Sequence, residues 1–309
     1  MKTVDLTKEI SAAEPAGLHY EKLSEAEGRL TRALWEQVFT EDTTSFLDYY
    51  YSEKTIGAHI HVLQDDNGQI VSMVHANPYD VLIHGVRRRA YYIVGVATAQ
   101  PYRHRGCMAF LLRKAVCLAK SEGCPFVFLM PADAAIYEPF GFRYGGRLSV
   151  WERSTCLKIR MEQNMPSGSV SVRAAEWTRK GGDAADFTGL RISAYSAADA
   201  GALAAYAGKT LAERYDTYCV HDEAYFGRLG RELASENGGI YLVWRQEHEK
   251  DTLCGYFCYA CEEQEYLQEV VVDREAEALF FEKNTEERIM FLPLEEACPY
   301  GRLYFPEIV

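Results

Sequence analysis

The sequence predicts an α+β protein with two lobes of similar design, each a sheet with helices packed against it. The same order of helix, helix and strand meander occurs in both halves of the chain. A segment with the composition of a linker, Asn164 to Ser169, lies between them. The length of 309 residues accommodates two domains. We therefore expect a first domain at 1–153, a linker at 154–169 and a second domain at 170–309.

The first half begins with a short strand and a helix whose start is indicated by a capping box. A strand is predicted at 19–23, and Ser24 with Glu27 has the Ser-x-x-Glu form of a capping box, which predicts a helix that continues to about residue 39. A second helix, at 44–52, contains three consecutive tyrosines, 49–51. Because three successive helical residues cannot share one face, we expect at least one of these side chains to be exposed or to line a cavity.

Two hairpins and a strand–turn–helix unit follow. The hairpins turn at Asn67-Gly68 and at His84-Gly85. The segment 94–112 begins as an apolar run with β-branched residues, breaks at Pro101 and continues as an apolar-periodic helix to about Lys120. After it we predict a strand at 125–130, a helical turn at 134–138, and a strand at 142–152 with a kink at its two glycines.

The second half repeats this order. Helices are predicted at 197–212 and 221–235, strands at 240–244, 253–261 and 266–272, a helix at 275–282 and a strand at 289–292. Cys254, Cys258 and Cys261 have the spacing of an iron–sulfur motif, but strand alternation would put the first two on one face and the third on the other. We therefore expect no metal site.

The turn between the central strand and its helix carries cations and a glycine. Arg103, Arg105 and Gly106 stand where a helix begins, and a helix N-terminus offers unpaired N–H groups and the positive end of the helix dipole. This pattern predicts a phosphate or pyrophosphate site. An ordinary strand-to-helix turn with solvated arginines is the alternative.

Two stretches carry a family resemblance. Arg103-His104-Arg105-Gly106-Cys107-Met108 resembles the pyrophosphate loop of the GNAT acetyltransferases, with Met108 where the family most often has Gly or Ala. The segment Tyr137-Glu138-Pro139-Phe140-Gly141-Phe142 is similar to that family's Tyr-x-x-Phe-Gly-Phe motif. The resemblance implies tandem GNAT-like acyl-CoA N-acyltransferase lobes. The second lobe would be degenerate because no Arg-x-x-Gly loop recurs in it, as in the Eis-like (enhanced intracellular survival) branch.

The resemblance also implies a site. Residues 103–108 would hold the pyrophosphate of acetyl-CoA, a co-substrate, and the backbone of Val96, Ala97 and Thr98 would align its pantetheine arm. Tyr137 matches the tyrosine that acts as general acid toward the sulfur. Eis-like enzymes use their own C-terminal carboxylate as a base, which here would be that of Val309.

Composition limits the partners. The net charge of −12 argues against nucleic acid and suits a cationic amine acceptor, although solubility alone also explains it. The chain shows neither a long apolar span nor a signal-peptide core at 1–5, so we expect a cytoplasmic protein without membrane contact. Nine cysteines, several within apolar runs, indicate reduced packing thiols. Assembly into homo-oligomers stays open.

Three functions remain open at this stage. The favoured one is an acetyl-CoA-dependent N-acetyltransferase with an amine acceptor, a small molecule or a peptide. A second is an acyl-CoA-binding regulatory protein without catalysis. A third is a transferase that uses another acyl donor or an aminoacyl-tRNA, against which the acidic charge speaks.

Overall fold

The computed structural model describes residues 5–6, 13–153, 190–247, 250–261, 265–295 and 301–306, and it confirms an α+β fold. The α-helices are α1 Arg32–Val38, α2 Thr44–Tyr49, α3 Cys107–Ser121, α4 Ala134–Tyr137, α5 Ala200–Arg214, α6 Glu223–Ser235 and α7 Arg274–Phe280. The strands are β1 His19–Leu23, β2 His59–Gln64, β3 Ile70–Ile83, β4 Val86–Thr98, β5 Phe126–Leu129, β6 Arg143–Tyr144, β7 Arg147–Arg153, β8 Leu190–Ala194, β9 Thr217–Cys219, β10 Gly239–Glu247, β11 Lys250–Cys261, β12 Glu265–Val272, β13 Phe281–Glu287, β14 Met290–Pro293 and β15 Leu303–Tyr304. None of the helices in these ranges is both long and apolar enough to cross a membrane.

The first sheet has the strand order β1-β2-β3-β4-β5-β14-β6, with β9 beside the end of β3 and β15 beside β9. Strands β4 and β5 are parallel, whereas β1 to β4 form an antiparallel meander. Alternate residues of the meander point to opposite faces. Leu63 and Val74 pack with α3 on one face, and Val62 and Met73 pack with α1 and α2 on the other.

The second sheet is antiparallel, in the order β13-β7-β12-β11-β10-β8. Leu211 of α5 and Leu233 of α6 belong to the core on one face, and Ala276 of α7 belongs to the core on the other. Helix α6 carries a clear apolar stripe, which explains why its periodicity was visible in the sequence.

Each sheet takes strands from the opposite half of the chain. Strand β7 lies in the second sheet, and β9, β14 and β15 lie in the first, with β14 between β5 and β6. The break predicted at Gly145-Gly146 is where the chain passes from one sheet to the other. A Cβ at Gly145 would come within 2.5 Å of Phe291, and Gly146 has a φ of +128° that favours glycine. The predicted linker 154–169 lies outside the described residues, and strands from both sides of it are shared between the sheets.

The expectation for the tyrosine triplet is wrong. Tyr49, Tyr50 and Tyr51 are 6%, 0% and 4% exposed. The segment Tyr50–Lys54 is a π-helical turn, which changes the angle between successive side chains, and the hydroxyls find buried partners. Helix α6 of the second half packs beside α2, and the hydroxyl of Tyr49 donates to Glu232 of α6 at 2.9 Å.

The expected faces of the cysteines are also corrected. Cys254 packs in the core on the α7 side of the second sheet and Cys258 in the core on the α5–α6 side. The register between β10 and β11 shifts after Val243, which pairs with Gly255, so Cys254 is a bulge residue. One extra residue reverses the alternation beyond it. Within the described ranges, no group of three His, Cys, Asp or Glu is placed to hold a metal ion.

Candidate functional site

The predicted phosphate loop closes into the start of a helix. After β4 a 3₁₀ turn spans Gln100–Tyr102, and Gly106 is the N-cap of α3 with a φ of +83°. The N–H of Phe110 donates to the carbonyl of Gly106 at 3.0 Å, which is the first bond of the helix. The N–H groups of residues 107–109 therefore have no partner within the helix, as at any helix N-terminus.

Both arginines of the loop are exposed, and among the described residues neither has a carboxylate partner. Arg103 donates from Nε to the carbonyl of Thr98 at 3.0 Å, and the guanidinium of Arg105 lies 5.1 Å from the ring centre of Tyr102. His104 is a non-glycine residue with positive φ (61°), and such left-handed positions curve a backbone into concave anion sites. A Cβ on Gly106 would meet no atom within 4 Å, so the space before the helix is open.

The two remaining loop residues, Cys107 and Met108, differ in how far their side chains are buried. Cys107 is 2% exposed, its Sγ lies 3.6 Å from the carbonyl of Tyr102, and burial raises the pKa of its thiol. Its side chain is therefore part of the core, and only its backbone is available to a ligand. Met108 is half-buried beside it.

A notch separates β4 from β5. The two strands pair at Tyr91–Val127 and Tyr92–Phe128, after which β4 continues to Thr98 while β5 ends at Leu129. The predicted residues Val96, Ala97 and Thr98 lie in this part of β4, beyond the last pair. Their backbone groups on the β5 side are thus not used by a β4–β5 ladder.

A bulge in β4 shapes the notch. Gly95 has a φ of +58°, and the pairing with β3 shifts register there. A Cβ on Gly95 would come within 2.5 Å of the Trp35 ring, so the side of the bulge is covered by α1. The sequence interpretation missed this feature, although an isolated glycine within an apolar strand is the usual signal of a bulge.

Tyr137 ends α4 on the α3 side of the first sheet. Its ring packs at 5.9 Å from that of Phe142 and against the same core as Val96. Burial raises the pKa of its hydroxyl to about 12. Tyr137 is thus protonated at neutral pH.

A cavity of about 420 Å³ lies on the opposite face of the first sheet. Both halves of the chain line it: Trp35, Asp42 and Phe46 from the first, and Glu236, Tyr266 and Arg288 from the second, with Trp151 of β7. Trp35 also covers the bulge, and the guanidinium of Arg288 lies 3.9 Å from the sulfur of Met130, directly after β5. The cavity walls therefore contact both sides of the notch. None of these residues was singled out from the sequence, because only the fold brings them together.

The ionisable groups of the cavity are mostly paired. Glu286 pairs with Arg288 at 2.9 Å, and Glu232 pairs with Lys54 at 2.9 Å. Asp42 accepts a hydrogen bond from the Trp35 indole at 2.6 Å, and burial raises its pKa despite that bond. With aromatic walls and an excess of carboxylates, the cavity suits a cation.

The three consecutive arginines 87–89 at the start of β4 form ion pairs with acidic side chains. Val309 lies outside the described residues, so its place as a base stays a prediction.

Residues 19–145 match the family model described as the acetyltransferase (GNAT) domain. The match ends where the chain leaves the first sheet, at Gly145. No curated protein matches the sequence.

Solved structures share the fold over most of the chain. A probable N-acyltransferase from Enterococcus faecalis is 13% identical, with a TM-score of 0.64 over 90% of this chain and 72% of that one. A GCN5-related N-acetyltransferase from Anabaena variabilis is 14% identical, with a TM-score of 0.62 over 90% and 73%. Eis1 from Mycobacterium abscessus is 11% identical, with a TM-score of 0.57 over 90% and 74%. The likeness of fold thus extends beyond residues 19–145, the segment that matches the acetyltransferase (GNAT) domain.

Proposed function

We propose that the protein is an N-acetyltransferase that moves the acetyl group of acetyl-CoA to a primary amine of a small molecule or peptide. The observation that supports this most is the notch between β4 and β5, which opens next to the glycine-capped N-terminus of α3. This arrangement offers one place for a phosphate-bearing donor and a gap through which its acyl group reaches the cavity.

The loop fits the pyrophosphate of coenzyme A. The N–H groups of residues 107–109 and the guanidinium groups of Arg103 and Arg105 supply donors and positive charge, and the space before Gly106 admits a phosphate. Val96, Ala97 and Thr98 would pair through their backbone with the pantetheine arm, as a short added strand. One of their N–H groups would polarise the thioester carbonyl.

The reaction needs no covalent enzyme intermediate. The amine nitrogen attacks the thioester carbon, the carbon–sulfur bond breaks, the nitrogen loses a proton, and the sulfur gains one from the Tyr137 hydroxyl. A tyrosine whose pKa is about 12 holds its proton until the thiolate forms, and it is reprotonated from solvent afterwards. The carboxylate of Val309 is the base that the family resemblance suggests. If it is, a few residues added after Val309 will reduce turnover.

The central test measures release of coenzyme A thiol with a panel of amines, together with acetyl-CoA affinity by calorimetry. We expect Tyr137→Phe to lower kcat by about 10²–10⁴-fold with unchanged affinity for acetyl-CoA, which is the range for general acid catalysis. Tyr144→Phe is the matched control, because Tyr144 packs against the same core and loses the same hydroxyl. Binding of acetyl-CoA without turnover of any amine would instead support a regulatory protein.

A further inference from the structure

The loop between α1 and α2 places a carboxylate, that of Asp42, on the wall of the 420 Å³ cavity beside the notch. Asp42 is half-buried, and its Oδ2 accepts the indole N–H of Trp35 at 2.6 Å. The same indole ring covers Gly95 at the bulge of β4. A single rigid side chain therefore connects Asp42 to the strand along which the thioester would lie.

Asp42 differs from the other acids of this cavity. Glu232 and Glu286 each have a cationic partner within 3 Å, and Glu236 accepts a hydrogen bond from the hydroxyl of Tyr266. Asp42 has the neutral indole, and the described residues give it no cation. Its lone pairs that the indole does not use can accept from an ammonium group.

We propose that Asp42 binds the ammonium group of the acceptor and takes the proton that its nitrogen loses during acetyl transfer. This assignment rests on the proposed function and names the base of that reaction. The bound ammonium first releases one proton to solvent, because its nitrogen has no lone pair until it does. The neutral amine then attacks the carbonyl carbon, and Asp42 takes the second proton, since bonding to carbon makes this N–H far more acidic than that of a free ammonium. Asp42 then passes the proton to solvent, and the sulfur leaves with the proton of Tyr137, so that charges and atoms balance.

The surroundings of Asp42 favour this role. Burial raises the pKa of its carboxyl above the usual value and Glu41 adds to the shift, which makes the carboxylate a stronger base. The charged groups that share the cavity are Glu232, Glu236, Glu286 and Arg288. The rings of Trp35 and Phe46 add faces that attract a cation.

The test is the pH dependence of kcat/KM for thiol release with a fixed amine. In the wild type we expect an acidic limb set by the raised pKa of Asp42. Asp42→Asn keeps an oxygen to accept the Trp35 indole, so we expect a folded protein with unchanged acetyl-CoA affinity, a kcat/KM about 100-fold lower or more, and no such limb. Asp48→Asn is the matched control: the same change on an exposed aspartate that does not line the cavity.

The outcomes separate the two proposals. If Asp42→Asn retains the wild-type rate and pH profile, Asp42 is not the base. Loss of activity on extension beyond Val309, with a normal profile for Asp42→Asn, would assign the base to the terminal carboxylate. If the wild type binds acetyl-CoA but acetylates no amine, the proposed function itself fails, and it fails independently of Asp42.

Discussion

The two halves of the chain have a similar order of elements, but they differ at the helix that follows the last strand of each meander and in the space beside that strand. In the first half, β4 leads through Gly106 into α3, and the gap beside the end of β4 stays open. In the second half, β12 leads through Asp273 into α7, and β7 occupies the position between β12 and β13. Within the described residues, the corresponding place in the second sheet therefore has a capped helix start and no gap beside β12.

The start of α7 is occupied by the protein itself. The Asp273 carboxylate accepts the N–H of Ala276 at 2.9 Å, and it pairs with Arg245 at 2.7 Å. A carboxylate in this position takes up the donors and the dipole that would attract a phosphate, and its charge repels one. This is a physical reason why the start of α7 does not suit a phosphate.

The same contrast holds for buried polar groups. Glu269 of β12 has no exposed side-chain surface, pairs with His221 at 2.6 Å, and accepts from the hydroxyls of Tyr225, Tyr256 and Tyr304. Nδ1 of His221 lies 2.6 Å from the carbonyl of Cys219, which can only accept. With a carboxylate on the other side, both ring nitrogens donate and the imidazole is a cation. The buried polar groups Glu269 and His221 of the second half are thus bonded to other groups of the protein.

The largest effect that we expect comes from breaking this pair. Glu269→Gln leaves a buried cation without its anion and should lower the free energy of unfolding by about 3–5 kcal/mol. Urea denaturation at pH 7 measures it. Glu213→Gln, an exposed acid of α5, should stay within about 0.5 kcal/mol of the wild type, and a similar loss in both variants would contradict the assignment.

The second prediction concerns a variant in which α3 starts with an aspartate N-cap, as α7 does. Gly106→Asp places a carboxylate at the N-cap of α3, and we expect the affinity for acetyl-CoA to fall by about 100-fold, or about 2.8 kcal/mol. The control is Gly68→Asp, since Gly68 also has a positive φ (+76°) and open space around its Cα. Calorimetric titration checks both, and unchanged affinity in Gly106→Asp would remove the donor site from this loop.

The third prediction is that the stability of the two sheets depends differently on pH. Burial lowers the pKa of His61 and of His75 in the first sheet to about 3, so both are neutral when folded. The stability that they contribute is complete above the unfolded pKa of 6.5 and is lost as the pH falls toward 3. Between pH 7 and pH 5, each of the two histidines lowers the free energy of unfolding by about 2 kcal/mol.

Hydrogen exchange at both pH values measures this difference. Amides of the first sheet should lose more protection than those of the second. In the second sheet, burial by itself would raise the pKa of Glu269, but the charge and hydrogen bonds of His221 outweigh it and hold that pKa below its usual range. An equal loss in both sheets would contradict the prediction, and His75→Gln should flatten the pH dependence of the first sheet.

The smallest effect tests whether the cap alone blocks the second lobe. Asp273→Ala removes the N-cap of α7 and should lower the free energy of unfolding by about 1 kcal/mol. We still expect one acetyl-CoA per chain, because β7 fills the position of the notch. A second equivalent in calorimetric titration would show that the cap was the sole barrier.

Local sequence signals predicted most helices and turns, and they failed where packing between distant segments determines strand pairing or burial. The capping box at Ser24 and Glu27 and the turn at His84-Gly85 are present as expected, because each depends on a few neighbouring residues. Strands β8, β9, β13 and β15 were not predicted; β9 and β15 are only three and two residues long, and β13 is mostly charged. Tyr49 of α2 is buried beside α6, and no periodicity in α2 reveals this contact.

The sequence by itself determined the order of most elements, the glycine and arginines of the loop before α3 and the position of Tyr137, because turn chemistry and helix starts are local. The tertiary structure decided that β7 and β14 change sheets, that a notch stays open in one sheet and is filled in the other, and that Asp42 shares a cavity with residues more than a hundred positions away. Strand pairing and burial join segments by shape and hydrogen bonding across space, and such partners leave no pattern in the segments themselves.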